Sequence, residues 1–79
     1  MSIELRVIKC VAKIYGQPSI PISAETRFES DLGLDSLEMV ELVMTIESEF
    51  ECSINDDVWF TVKTVQQAID LLTAMKVAA

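Results

Sequence analysis

The chain has 79 residues, of which 51% are hydrophobic and 6% aromatic, with a formal net charge of −7 and no histidine. A chain this short makes one domain, 1–79, buries about 60–65% of its unfolded surface, and leaves little room for an enclosed catalytic site. Residues 25–57 hold 11 of the 13 acids against Arg27 as their single base, a net −10, so this lobe repels nucleic acid and anionic membrane.

The same lobe steers basic protein patches toward it, and it also serves as a solubilising surface. Cys10 and Cys52 are too few for a disulfide scaffold, which points to two free thiols in a reducing cytoplasm. No Cys/His cluster with metal spacing occurs, and the twelve-residue oxygen-ligand pattern of a calcium loop is absent, so no metal site is expected. Ile3–Tyr15 is punctuated by Glu4, Arg6, Lys9 and Lys13, unlike a signal peptide. No apolar run approaches the roughly 20 residues that span a bilayer, and no membrane association is expected.

Taken in chain order, the first predicted helix runs from Ser2 to Tyr15. Ile3, Val7, Cys10, Val11 and Ile14 follow helical spacing, Ser2 can cap, and Gly16 supplies a stop. Gln17–Phe28 holds both prolines and reads as a long loop, with Ile20, Ile22 and Phe28 as anchors. Ser30–Leu34 is a turn into the second helix, Ser36 to Phe50. Asp35 and Glu38 make a D-x-x-E capping box there, leaving Ser36 as the first helical residue. Asn55–Val62 reads as one or two irregular helical turns. Thr64 and Gln67 make a second capping box, opening a last helix to about Met75 that buries Val65, Ala68, Ile69, Leu72 and Met75. The predicted fold is all-α, a small antiparallel four-helix bundle of three main helices and a short third one, with the long loop between helices one and two.

The second helix carries two apolar stripes. Met39, Leu42, Val43, Ile46 and Phe50 fall within an arc of about 100° and seat it on a core. Leu37, Val40 and Met44 lie roughly 140° away, bordered by Ser36 and Glu47 on one side and Glu41 and Ser48 on the other. Two readings are open. The second stripe packs under the loop or the third helix, or it is a docking face of apolar knobs rimmed by acids. Ser36 is equally open between a helix-start residue and a functional hydroxyl, although Asp35 already fills the cap. No histidine is available to activate it, and no acid/base pair, nucleophile–base pair or metal set can be assembled, so no catalytic residue is expected and the chain is not expected to be an enzyme.

The run Asp31-Leu-Gly-Leu-Asp-Ser-Leu-Glu-Met-Val-Glu-Leu-Val-Met-Thr-Ile-Glu-Ser-Glu-Phe50 resembles the helix-two signature of type II acyl carrier proteins. Thr64-Val-Gln-Gln-Ala-Ile-Asp70 is similar to the start of that family's fourth helix, so the resemblance covers nearly the whole chain. It implies a free-standing, monomeric carrier of 4'-phosphopantetheine, attached to Ser36 by a phosphopantetheinyl transferase with Asp35 helping the transferase and its metal ion. Acyl intermediates would ride on the arm's thiol as thioesters and be sheltered between the helices. Leu37, Val40, Glu41, Met44 and Glu47 would meet basic patches on synthases, reductases, dehydratases and acyltransferases of fatty-acid, lipid or polyketide synthesis. Peptidyl or D-alanyl cargo on the same Ser36 is the alternative, though Gly33-Leu-Asp-Ser favours acyl cargo over the G-G-x-S or G-G-D-S of peptidyl carriers. An unmodified helical interaction module is the other. The segment Cys52–Val62 departs from the family pattern. Asn55 follows Ile54 where a proline is usual, and Trp59-Phe60 bring two aromatics, while Ser48 stands at a position often acidic. Trp59 simply anchors a thin core, or else Trp59 or Phe60 lines the acyl pocket or reshapes partner choice. These departures point to a specialised carrier.

Overall fold

A computed structural model describes residues 2–16 and 21–76. The helices are α1 (Ile3–Tyr15), α2 (Ser36–Phe50), α3 (Asp56–Trp59) and α4 (Val65–Ala74). Among the described residues there is no strand, only an isolated bridge between Arg27 and Thr64. The predicted anchor Ile20 and the proline Pro18 lie outside the described residues.

Each main helix starts where its sequence provides an acceptor for unpaired backbone N–H groups. The Ser2 hydroxyl accepts from Leu5 N, and Asp35 and Thr64 close full capping boxes with Glu38 and Gln67. Gly16, at φ +72°, stops α1 and donates its N–H to the Ala12 carbonyl. Helix α2 has no such glycine and ends on Glu51 at φ +51°, a left-handed conformation that disfavours side chains.

Helix α1 packs against both α2 and α4. The core joins Val7 and Val11 of α1 to Leu42 and Ile46 of α2 and to Val65 and Leu72 of α4. Phe28 plugs it from the connecting loop and is fully buried, which stabilises by about 1.5–3 kcal/mol as an area estimate. Ile22 packs against the same core while half-buried. Arg6 clamps the far end. Its Nε donates to Glu49 Oε2 at 2.8 Å, a terminal nitrogen donates to the Glu49 carbonyl at 2.9 Å, and the guanidinium lies 4.3 Å from the Phe50 ring centroid. Helix α2 has no basic residue in its own last turn, so a cation from α1 faces the negative end of its dipole.

The loop is fastened to the start of α4. Val65 N donates to the Thr26 carbonyl at 3.0 Å and Gln66 N to the Ala24 carbonyl at 2.8 Å, while Phe28 N donates to the Lys63 carbonyl at 3.0 Å. Two of the N–H groups that every helix start leaves unpaired are thus satisfied by loop carbonyls. One predicted core position differs. Met75 is the C-cap of α4 and is 37% exposed, because the helix ends at Ala74 before that turn reaches the core.

Candidate functional site

Ser36 stands exposed at the first turn of α2 on a shoulder built by its neighbours. Leu32 and Leu34 are buried and anchor the approach, and Gly33 between them takes φ +67°, a conformation a side chain would strain. The turn closes on itself through Leu34 N to the Phe28 carbonyl and Gly33 N to the Glu29 carbonyl, both at 3.0 Å. Asp31 Oδ2 accepts from Arg27 N at 2.8 Å and Oδ1 pairs with the Arg27 guanidinium at 3.3 Å. These contacts hold the Asp31 carboxyl below its ordinary pKa, the backbone hydrogen bond contributing most.

Asp35 Oδ1 accepts from Glu38 N at 2.8 Å, and Glu38 Oε1 accepts from Asp35 N at 3.1 Å. The cap is therefore complete without Ser36. Among the described residues none hydrogen-bonds the Ser36 hydroxyl. It is a primary alcohol held in a fixed place and left available, with no adjacent base. Such a group does not attack by itself, but it can receive a group delivered by another enzyme.

The second stripe of α2 is exposed rather than packed: Leu37 is 69% exposed, Val40 52% and Met44 61%. Among the described residues, neither the loop nor α3 covers it. The structure also divides it. Val40 borders a cleft on the α3 side, whereas Met44 borders a groove against Lys9, Cys10 and Lys13 of α1. Glu41 is exposed, but Glu47 is half-buried and its Oε2 accepts from Ile54 N at 2.7 Å. That carboxylate is already engaged in closing the turn after α2, a role its helical position did not signal.

The cleft, of about 380 Å³, opens beside Ser36 and brings together α2, α3 and the two connecting loops. Met39, Val43, Trp59 and Val62 give it an apolar interior, and Glu29, Asp56 and Lys63 stand at its edge. The sequence offered Trp59 or Phe60 as pocket lining and singled out Ser36 and Val40 for attachment and docking, but it did not place Met39, Val43, Val62 or Lys63 in the lining. The only available signal was the extra aromatic pair, since the other positions meet through tertiary packing.

The thiols take no part in this site. Burial pushes the Cys10 thiol pKa up, with Glu49 adding to it, and burial followed by Glu47 does the same for Cys52. Both shifts favour the thiol over the nucleophilic thiolate. Among the described residues no group of three or more His, Cys, Asp or Glu side chains could hold a metal ion. No described helix is long and apolar enough to cross a membrane.

Among solved structures, the fold is similar to a proposed acyl carrier protein from Mycobacterium tuberculosis, with a TM-score of 0.86 and 24% identity. The match covers 94% of this chain and 99% of that one. At this identity the likeness establishes the four-helix carrier fold. The sequence model of the phosphopantetheine attachment site family matches residues 5–72, which takes in all of α2 and α3 and most of α1 and α4. The chain therefore belongs to the phosphopantetheine attachment site family, as a carrier whose covalent cofactor is 4'-phosphopantetheine.

Proposed function

We propose that residues 1–79 work as an acyl carrier domain, with the phosphopantetheine arm esterified to Ser36. The observation that carries this reading is the exposed, unpaired Ser36 hydroxyl on a separately capped helix start, at the mouth of an apolar cleft. The residues present fit the group. The hydroxyl is open to a transferase, the buried Leu32 and Leu34 fix its position, and the cleft can receive an apolar chain.

When attached, the arm supplies a terminal thiol that holds cargo as a thioester. The chain's own residues position, present and shelter. Asp35 keeps the helix start formed and adds negative charge beside Ser36, which suits recognition by a transferase carrying a divalent ion. Leu37, Val40 and Met44 offer apolar contact, and Glu41 offers charge, to basic faces of acyl-processing enzymes. Glu47 contributes charge to the same face while its hydrogen bond holds the end of α2. Asp35 and Ser36 begin the helix whose exposed stripe meets the partner, so one rigid element presents both arm and docking face. An apolar cleft interior favours acyl over peptidyl cargo. We assign the chain a carrying rather than a catalytic role, in a reducing cytoplasm that suits two free, protonated thiols.

Intact mass after incubation with coenzyme A, magnesium and a broad-specificity phosphopantetheinyl transferase tests the assignment. The expected result is one added phosphopantetheine on the wild-type chain and none on Ser36→Ala. An arm added equally to the Ser36→Ala chain, or no addition to well-folded wild type, would overturn it.

A further inference from the structure

The cleft beside Ser36 has two levels. Val43, Trp59 and Val62 are at most 7% exposed and form its floor, while Ser36, Val40 and Phe60 stand exposed at its mouth. Trp59 faces the cleft on one side and the core on the other. Its ring lies 6.2 Å, centroid to centroid, from the fully buried Phe28. Its Nε1–H donates to the Met39 carbonyl of α2 at 3.1 Å. The indole is thus held from two directions at the boundary between cleft and core. An apolar chain that enters past Ser36 meets it there. Going deeper would require swinging the ring off Phe28 and leaving a buried indole N–H without an acceptor, both unfavourable. At about 380 Å³ the cleft lies at the small end of the range for ligand pockets.

We propose that Trp59 is a specificity-determining residue that closes the inner end of the cleft and so limits the length of acyl chain that can be sheltered there. This rests on the reading of Ser36 as the attachment point. The carbons of a longer chain that do not fit are left at the mouth, against Phe60 and solvent. A tryptophan serving only as a core anchor would have no effect on cargo length, which separates the two roles.

Trp59 is the chain's single tryptophan, so its emission reports on the cleft directly. The probes are butanoyl, octanoyl and dodecanoyl arms, joined through an amide so that they cannot hydrolyse, with loading verified by intact mass. In the wild type, the emission shift and the rise in Tm over the unacylated holo form increase from butanoyl to octanoyl and then stop. Each fully buried methylene raises Tm by about 3–6 °C. In Trp59→Phe and Trp59→Leu the rise in Tm continues to dodecanoyl. Each variant is compared with its own unacylated form, so any loss of stability from the substitution cancels. If Trp59→Leu does not fold, Trp59→Phe carries the comparison. Wild-type emission and Tm independent of chain length, a wild-type rise that continues to dodecanoyl, or variants that stop where the wild type stops would each overturn the proposal. A chain that takes no arm overturns the carrier reading together with this one, and the mass shows that before any cargo is compared.

Discussion

Glu41 and Glu47 both border the apolar stripe of α2, yet the folded chain uses them differently. Glu47 accepts the Ile54 N–H at 2.7 Å, so Glu47→Ala leaves a part-buried donor without its partner. The expected loss is about 1–2 kcal/mol, seen as a Tm lower by several degrees, with Glu47→Gln intermediate because it keeps an acceptor. The Glu41 side chain makes no hydrogen bond within α2, its carbonyl alone accepting from the Thr45 hydroxyl in addition to the helix ladder, so Glu41→Ala should leave Tm unchanged and slow association with partner enzymes. Asp31 gives a pH dependence. Its folded pKa lies below the ordinary 3.8, so the unfolded chain takes up the proton first as pH falls. Its contribution is therefore present above 3.8 and fades as pH drops through the lower folded value. Asp31→Asn should be less stable than wild type at neutral pH, and the two should converge under acid, measured by urea melts at each pH.

At the scale of the element, the proposed function puts both the arm and the docking face on α2, so its first turn would set the orientation of both. Asp35 has two separable roles there. Asp35→Ala removes the cap and should lower stability by about 1 kcal/mol, and the rate of phosphopantetheine addition falls with it. Asp35→Asn keeps a capping oxygen and loses only charge, so Tm should hold while addition still slows. Thermal melts beside a time course of intact mass check both. Helix α2 was legible in the sequence from end to end, because a capping box and an apolar period are local signals. The burial at the end of α4 was not. Met75 continues the helical period of Val65, Ala68 and Leu72, but a period says nothing of where the neighbouring helix stops covering it. The cleft was hidden for the same reason. Ser36, Trp59 and Lys63 share it only because the two loops fold back on α2, and no sequence spacing records that. The exposure of Leu37, Val40 and Met44 speaks against packing under the loop or α3, one of the two readings that angle alone had left open.

For the molecule as a whole, charge distribution governs both encounter and stability. Residues 25–57 carry a net −10, and salt bridges offset only part of it, since Arg27–Asp31 and Lys63–Glu29 lie between exposed groups and Arg6–Glu49 is partly buried. Raising ionic strength from about 0.01 M to 0.15 M shortens the Debye length from roughly 30 Å to 8 Å. Two opposite effects are expected from one titration. Tm rises as self-repulsion is screened, and the association rate with a basic partner falls as steering is lost. Calorimetry and stopped-flow on the same samples measure them. A neutral partner-facing surface would give the first without the second.

The fastening of the loop to α4 has a consequence for exchange between related proteins. Ala24 and Thr26 supply acceptors to Gln66 and Val65, and Lys63 supplies one to Phe28, so neither stretch is complete alone. A chimera that imports residues 24–28 from a relative but keeps the native start of α4 inherits half of a joint. The two stretches must be transplanted as a pair, although 34 residues of chain, the whole of α2 and α3 among them, separate Phe28 from Lys63.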